Sequence, residues 1–327
     1  MRALVLLPIL LFLAACDLLT PADGYREQLV VSAALEAGAP LPALRLTRTV
    51  PIDRVYDTAA VAVPDAEVTI TRLAADGADD EVYRYHYRPD RYRYFPPSGQ
   101  PRIVPGATYR LDVRAPGFET PLTATTTVPP QFEVVRAPEG SIRYQTGQGP
   151  ESVITASSVP GRQAVYLLQV RALAPDAFEI AEVEPGRFRW VRLGLPDRFG
   201  LTPFYANVIL GRDCTRRADG TLNCPFSPED VVSGSSPLLN EASYIRNADG
   251  TLVVRAPWLA FGFYGPQKLV INALDDALVR FVESQATQQP GGTLSPGEIP
   301  NVTTNVQGGL GVFGSFAARS VQITVTE

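Results

Sequence analysis

The first of the three cysteines in the chain has the setting that lipid attachment requires. A basic start precedes the apolar run Ala3–Phe12, which leads into Leu13-Ala14-Ala15-Cys16. This layout is typical of a secretory signal, and the run is too short to span a bilayer. The segment resembles the bacterial lipobox, in which the thiol receives diacylglycerol. We therefore predict a lipoprotein signal peptide at residues 1–15, acylation of Cys16 and a lipid-anchored tether at residues 16–25. The alternative is a plain signal peptide followed by a chance cysteine.

The predicted anchor fixes the protein to a membrane without deciding which one. Two or three acyl chains hold a protein firmly, because each buried CH₂ adds about 0.8 kcal/mol. Asp17 follows the cysteine, and aspartate at that position causes inner-membrane retention in some bacteria but not in others. The sequence therefore predicts an exported protein of the cell envelope, attached to a membrane by its N-terminal lipid.

The two remaining cysteines are placed to form a disulfide. Cys214 and Cys224 flank Asp219-Gly220, a dipeptide that is a strong signal for a hairpin turn. A turn there brings the two thiols nearly opposite each other, and exported proteins reach an oxidising compartment. A zinc site is disfavoured, because two thiolates without a nearby histidine leave a tetrahedral ion short of ligands.

Catalytic chemistry has little support in the sequence. His86 is the single histidine, so a Ser-His-Asp triad would have to use it, and no Gly-x-Ser-x-Gly elbow is present. The expectation is a protein without enzymatic activity, with no catalytic residues and no cofactor. Removal of residues 1–15 leaves 28 basic and 34 acidic residues, a formal charge of −6. This balance disfavours a nucleic-acid partner, which requires a basic face.

One acidic cluster could hold a cation. Asp76, Asp79, Asp80 and Glu81 surround a glycine turn, and carboxylate oxygens are the ligands that Ca²⁺ prefers. The spacing does not match an EF-hand loop, and a solvated turn is the favoured interpretation. Whether a metal binds near Asp76–Glu81 stays open, and no metal ligand is assigned.

The segment from Tyr83 to Phe95 alternates tyrosine and arginine and predicts a hairpin that turns at Pro89-Asp90. Tyrosine and arginine are common in interfaces, so the hairpin is the candidate binding surface for a partner protein, glycan or peptide. In the alternative, the tyrosines cover a sandwich core and the arginines are solvated. The candidate residues are Tyr83, Tyr85, Tyr87, Arg88, Tyr92 and Tyr94.

The elements that must position these residues are predicted to be mainly β-strands. Short stretches rich in valine, threonine and tyrosine recur between turn signals, a pattern typical of antiparallel sheets. Residues 26–130 hold seven such stretches and predict an immunoglobulin-like or prealbumin-like β-sandwich. Residues 131–327 predict a second β-rich domain, with one amphipathic helix near 274–288 and a terminal strand at 320–326.

A resemblance extends over essentially the whole mature chain. The segment Asn301–Gly314 ends in Gly-Gly-Leu-Gly-Val-Phe-Gly, and together with the lipobox, Leu46–Pro51 and Asp65–Val68 it is similar to the DUF4249 lipoproteins of the Bacteroidota type. In this resemblance, Gly308 and Gly309 supply unusual backbone conformations. We expect Leu310, Val312 and Phe313 to plug a core.

The resemblance implies a role in uptake rather than a reaction. Such proteins are often encoded beside TonB-dependent outer-membrane receptors, so it implies an outer-membrane location and an accessory role in binding, with an unknown ligand. The alternative is a structural or adhesive envelope protein in which the sandwich is a spacer. A hydrolase is the least favoured function.

Overall fold

The computed structural model describes residues 25–51, 53–99, 102–157, 161–286 and 303–327. The predicted signal peptide and Cys16 lie outside these ranges. In the part of the chain that the structure describes, no helix has the length and apolar character to cross a membrane. The prediction of a mainly β protein is confirmed.

Twenty strands and three α-helices make up the described fold, with two short 3₁₀ turns at Pro228–Val231 and Trp258–Ala260. The helices are α1 (Thr58–Val61), α2 (Pro203–Ile209) and α3 (Asp276–Ala286). The strands are β1 (Leu29–Glu36), β2 (Arg45–Arg48), β3 (Glu67–Leu73), β4 (Asp79–Arg88), β5 (Arg93–Phe95), β6 (Thr108–Arg114), β7 (Leu122–Thr127), β8 (Val134–Arg136), β9 (Ser141–Arg143), β10 (Glu151–Ile154), β11 (Val165–Ala172), β12 (Phe178–Glu184), β13 (Arg187–Arg192), β14 (Thr215–Arg216), β15 (Leu222–Asn223), β16 (Ser233–Ser235), β17 (Ile245–Arg246), β18 (Leu252–Arg255), β19 (Gly265–Leu274) and β20 (Leu310–Thr326).

A five-stranded antiparallel sheet in the order β5-β4-β3-β6-β7 forms one layer of the N-terminal part. Its strands bury one face because apolar residues alternate with polar ones. Tyr109, Leu111 and Val113 on β6 are at most 1% exposed, whereas the side chains between them lie on the wetter face. The seven strands that the sequence predicts in residues 26–130 are confirmed as β1 to β7.

A seven-stranded sheet runs through both halves of the chain. Its order is β16-β11-β19-β20-β1-β2, with β9 also on β20. The terminal strand β20 pairs in parallel with β1 and antiparallel with β19. The sheet therefore crosses the predicted domain boundary at residue 130. The physical reason is that β1 and β2 alone are a marginal two-stranded layer, and β20 completes it.

One continuous core lies beneath these sheets. Leu35 and Leu46 from β1 and β2 join Ile70 and Leu111 from the five-stranded sheet in the same buried cluster. The cluster continues into the C-terminal half through Phe132, Tyr166 and buried residues of β10, β18 and β19. Strands β10 and β18 belong to a four-stranded sheet in the order β17-β18-β10-β8. The predicted sandwich and the predicted second β-rich domain thus share both a sheet and a core.

Strand β20 is ten residues longer at its N-terminal end than the predicted strand 320–326. Glycines in this stretch allow two backbones to approach closely: Gly311 has a φ of +109°, and a Cβ there would overlap the carbonyl oxygen of Val31. Phe313 and Val312 are buried, as expected. Leu310 is 38% exposed, contrary to the expectation that it fills a core. It is the first residue of β20 and lies at the end of the pairing with β1.

The amphipathic helix is α3, which runs from Asp276 to Ala286. The predicted helix near 274–288 begins too early, because Leu274 belongs to β19. Asp275 precedes the helix, and its carboxylate accepts a 2.8 Å hydrogen bond from the N–H of Leu278. This capping bond satisfies a donor that the first helical turn leaves free.

Candidate functional site

The tyrosines of the candidate binding surface point mostly into the core. The predicted hairpin forms, with Arg88 opposite Arg93 across the loop 89–92. Tyr83, Tyr85 and Tyr94, however, are only 4%, 7% and 1% exposed. This corrects the assignment of these three tyrosines to a binding surface and matches the alternative, in which tyrosines cover a sandwich core, because the period of two that aligns the rings on β4 aims them at the opposing layer. These three rings cannot contact a partner.

Tyr94 holds the start of β3 in place. Its hydroxyl donates a 2.7 Å hydrogen bond to the carbonyl of Val63 and accepts a 2.9 Å bond from the N–H of Ala66. Burial raises the pKa of Tyr94 to about 12. Its ring packs 5.3 Å from the half-buried Tyr87, measured between centroids. Both tyrosines are therefore explained by packing.

The part of the predicted surface that does face solvent is rich in arginine. Leu44 exchanges two 2.9 Å backbone hydrogen bonds with Tyr94, which sets β2 beside β5. The outward side chains of β2, β5 and the 89–92 loop, together with Arg88 at the end of β4 and with Tyr56, line one surface, which we call the arginine face. Its members are Arg45, Arg48, Tyr56, Arg88, Arg91, Tyr92, Arg93 and Phe95.

Two shallow grooves that share Arg45 shape the arginine face. One, of about 560 Å³, lies beside the 89–92 loop, and the other, of about 400 Å³, lies against β1 and β2. Together the linings contain five arginines but a single carboxylate, that of Asp90. The arrangement therefore favours an anionic partner over a cation.

The ion pairs leave part of this positive charge uncompensated. Arg88 donates 3.0 and 3.3 Å hydrogen bonds to Asp90, and these bonds lower the pKa of that carboxyl. Arg48 lies 3.3 Å from Glu27. Arg45 and Arg93 form no ion pair with any residue in the described ranges, so their guanidinium groups are available to a ligand.

The described chain begins at the edge of the arginine face. The hydroxyl of Tyr25 lies 2.5 Å from the carbonyl oxygen of Thr49, and the N–H of Gln28 donates a 3.0 Å bond to the Thr49 hydroxyl. Thr49 also lines the groove against β2. The predicted tether therefore joins the folded protein beside this surface.

A second exposed feature is residues 173–232, which we call the arm. It contains the β12–β13 ribbon, helix α2 and the β14–β15 hairpin. The predicted disulfide between Cys214 and Cys224 is confirmed, with a Cα–Cα distance of 4.2 Å. The turn is longer than predicted: Arg217 pairs with Thr221 around a loop of three residues that ends at Gly220, whose φ is +85°. Gly220 thus supplies the left-handed residue of a bulged hairpin.

Aromatic side chains are exposed on the arm. Phe199, Phe204 and Phe226 are 38%, 46% and 43% exposed. The Trp190 indole donates a 2.8 Å bond to the carbonyl of Phe226, and the Arg212 guanidinium lies 5.6 Å from the Phe226 ring centroid. A small separate core around Leu201, Ile209 and Phe263 supports these residues. The sequence indicates the disulfide but not this aromatic surface, because the amino-acid sequence alone does not distinguish an exposed phenylalanine from a buried one.

Strand β20 sets the distance between the arm and the point where the predicted tether joins the folded protein. At one end, Leu310 pairs with Val30 near the tether; at the other, Ile323 pairs with Gln267, which pairs with Ala172 at the base of the arm. Leu310 and Ile323 are thirteen residue steps apart along the strand, roughly 40 Å at the usual rise per residue. The arm and the tether therefore lie at opposite ends of the long strand.

The acidic cluster at residues 76–81 and His86, the other candidates for chemistry, do not form a site among the described residues. Asp79 pairs with Arg110 at 3.0 Å and Asp80 with Arg72 at 2.7 Å, so these carboxylates already have cationic partners. In the described ranges, no group of three or more His, Cys, Asp or Glu residues is placed to hold a metal. The imidazole of His86 is exposed on β4 and makes no hydrogen bond to a described residue.

Sequence reasoning missed two parts of this geometry. Arg45, Arg91 and Arg93 were not singled out, although Arg91 and Arg93 belong to the same tyrosine–arginine segment that drew attention to Arg88. Arg45 joins them only because a single bridge sets β2 beside β5. The second is a buried polar cluster in which the Thr126 hydroxyl lies 2.5 Å from the Asp275 carboxylate and 2.6 Å from the Ser315 hydroxyl.

Comparison with known proteins places the chain in a family without a described activity. A family model described as "Domain of unknown function (DUF4249)" matches residues 18–322. No curated protein matches the chain. Among solved structures, three N-terminal domains of the bacteriophage RB49 Highly Immunogenic Outer Capsid protein match at 8% identity and a TM-score of 0.20, over 91% of this chain and 70% of that one. Escherichia coli alpha-2-macroglobulin activated by porcine elastase matches at 12% identity and a TM-score of 0.22, over 92% and 24%.

Proposed function

The chain belongs to the DUF4249 family, and on that basis we propose that it is a lipid-anchored protein of the outer membrane and a binding accessory of a TonB-dependent uptake system. In this proposal Cys16 carries the lipid and the arm contacts the receptor. The observation that carries the proposal is the separation of the tether and the arm along β20, which holds an exposed aromatic surface away from the point of attachment.

The arm has the composition of a protein-binding surface. Phenylalanine, tryptophan and arginine are enriched in interfaces, and a few such residues supply most of the binding energy. Phe226 lies two residues after the Cys214–Cys224 disulfide and is held by the Trp190 hydrogen bond, whereas Phe204 lies on helix α2, which is anchored by the buried Ile209. A surface ordered in advance loses less conformational entropy on binding.

The alternative function is a structural or adhesive envelope protein without a role in ligand transport. The main buried cluster, whose members range from Leu29 to Val325, suits a rigid spacer equally well. The two functions differ in their dependence on a receptor, so the test must measure receptor capture directly.

Lipidation is tested first. Cells that express the chain are fed labelled palmitate, and we expect label in the protein and loss of that label in a Cys16→Ser variant. Membrane fractionation of the same cells gives the compartment. A protein that carries no label, or that fractionates with the inner membrane, contradicts the proposed anchor or its location.

Receptor capture is tested by affinity purification of the full lipoprotein from solubilised outer membranes. We expect a TonB-dependent receptor in the eluate, and a reduction of at least tenfold when Phe204→Ser and Phe226→Ser are combined, because each ring contributes more than 1 kcal/mol as an interface anchor. The matched control combines Val82→Ser and Val135→Ser, which are 49% and 59% exposed on other strands. Absence of a receptor, or equal loss in the control, contradicts the proposal.

A further inference from the structure

We propose that the arginine face rests on the anionic headgroups of the bilayer that holds the lipid anchor. The inference relies on the lipidation of Cys16 proposed above and assigns a second contact with the membrane, separate from the contact of the arm with a receptor.

The length of the tether keeps this face close to the bilayer. Eight residues lie between Cys16 and Tyr25, and the nine residue steps from one to the other reach about 30 Å when the chain is fully extended. Tyr25 is bound to Thr49, which lines one of the two grooves of the face. The tether therefore keeps this edge of the arginine face within about 30 Å of the predicted anchor.

The charge of the face suits lipid phosphates. The groove linings hold five arginines against the carboxylate of Asp90, whereas the whole chain has a formal charge of −5. The planar guanidinium group matches phosphate oxygens with two parallel donors. Arg45 and Arg93, which have no ion-pair partner among the described residues, can make these contacts without breaking a pair.

Exposed aromatic and apolar side chains suit the boundary between headgroups and acyl chains. Tyr56 and Tyr92 are 56% and 40% exposed, and Val55 is 93% exposed. An apolar groove of about 470 Å³, lined by Phe281, Leu310 and strand β1, continues the face through their shared residues Val30 and Ser32. Tyrosine is enriched at that depth of a membrane, so one surface offers both charge for the headgroups and apolar area beneath them.

The inference is tested with the chain that begins at Asp17, which lacks the anchor and keeps every contact of residues 25–327. Sedimentation measures its binding to phosphatidylcholine vesicles with and without about one third phosphatidylglycerol. We expect binding only to the anionic vesicles, with a decrease as salt rises. Each arginine near an anionic surface adds about fivefold to the binding, so combining Arg45→Gln, Arg91→Gln and Arg93→Gln lowers it about a hundredfold.

The matched control removes the same charge from the arm by combining Arg198→Gln, Arg212→Gln and Arg217→Gln, and binding stays within twofold of the unchanged chain. Equal loss in both triple variants contradicts the inference, as does equal binding to neutral vesicles or no binding at low salt. Release from the vesicles by millimolar inorganic phosphate at constant ionic strength would assign the face to a free anion instead. The experiment uses neither the lipid anchor on Cys16 nor a receptor, so its failure leaves the results of palmitate labelling and receptor capture unaffected.

Discussion

Asp275 is a single residue whose environment makes stability depend on pH. Its carboxyl is 3% exposed, accepts hydrogen bonds from Thr126 and Leu278, and has a raised pKa because burial disfavours its charged form. A carboxyl with a raised pKa binds its proton more tightly in the folded protein than in the unfolded one. Its contribution to stability is therefore present at low pH and decreases as the pH rises through the folded pKa.

Two substitutions at Asp275 separate charge from capping. Asn is as good a helix cap as Asp, so Asp275→Asn keeps the bond to Leu278 and removes the titration. We expect the free energy of unfolding of the unchanged protein to decrease, relative to that of Asp275→Asn, between mildly acidic and neutral pH. Asp275→Ala leaves buried donors without partners and costs about 2 kcal/mol. Urea titrations at several pH values measure both effects, and an identical pH profile for Asp275→Asn and the unchanged protein contradicts the assignment.

Gly311 tests whether close backbone approach is required between β1 and β20. A Cβ there meets the Val31 carbonyl, whereas one at Gly77, whose φ of +84° is similarly left-handed, meets nothing. Gly77→Ala therefore measures the conformational cost alone, about 1 to 2 kcal/mol. Gly311→Ala adds a backbone clash in the central pairing, and we expect a loss of at least 3 kcal/mol in thermal or chemical unfolding. Equal losses in the two variants would show that the clash relaxes without cost.

Sequence reasoning at the residue level succeeded where chemistry is local and failed where burial decides. Cys214 and Cys224 were paired correctly because ten residues and one turn fix their distance. Tyr83, Tyr85 and Tyr94 share a face in the sequence, but alternation does not tell whether that face meets solvent or a second sheet. Arg88 and Tyr92 stayed exposed because they lie at the end of the hairpin.

At the level of elements, the β14–β15 hairpin depends on its disulfide. Each strand has two residues and a half-exposed or exposed surface, so few contacts replace the cross-link. The disulfide closes a short loop and contributes about 2 to 3 kcal/mol. When Cys214→Ser and Cys224→Ser are combined, we expect faster hydrogen exchange in residues 212–226 and weaker receptor capture, with unchanged vesicle binding by the arginine face.

A hairpin with the same turn serves as the internal control. In the β17–β18 hairpin, Asn247 and Thr251 close a three-residue loop that ends at Gly250, as Arg217 and Thr221 close the loop that ends at Gly220. This hairpin has no disulfide, and β18 also pairs with β10 in the four-stranded sheet. Exchange in residues 245–254 should not respond to the cysteine substitutions. An equal change in both hairpins would mean that the disulfide stabilises the whole molecule rather than the arm.

Strand β20 marks the limit of element prediction from this sequence. Its last seven residues alternate and are rich in β-branched side chains, so the sequence predicts a strand at 320–326. The first part contains Gly311 and Gly314, and glycine is depleted in strands. The backbone there is extended because strand β1 and helix α3 approach it closely. That reason lies in the tertiary structure and has no counterpart in the local sequence.

At the level of the whole molecule, the shared sheet decides how the protein unfolds. A boundary at residue 130 with two independent cores would allow one half to unfold before the other. In the structure, β20 pairs with β1 on one side and β19 on the other, and the main buried cluster contains residues from both halves. Removing either half would expose the apolar side of the other, so the halves stabilise each other.

We therefore expect a single cooperative unfolding transition for the chain that begins at Asp17. Both tryptophans, Trp190 and Trp258, lie beyond residue 130, so their fluorescence reports on the C-terminal half alone. Hydrogen exchange of β3, β6 and β7 reports on the N-terminal half, and the two probes should give the same midpoint in urea, as two-state unfolding requires. The Gly311→Ala variant should shift both midpoints together, because it weakens the strand that joins the halves. Separate midpoints in the unchanged protein would restore two independent domains and reduce β20 to a link between them.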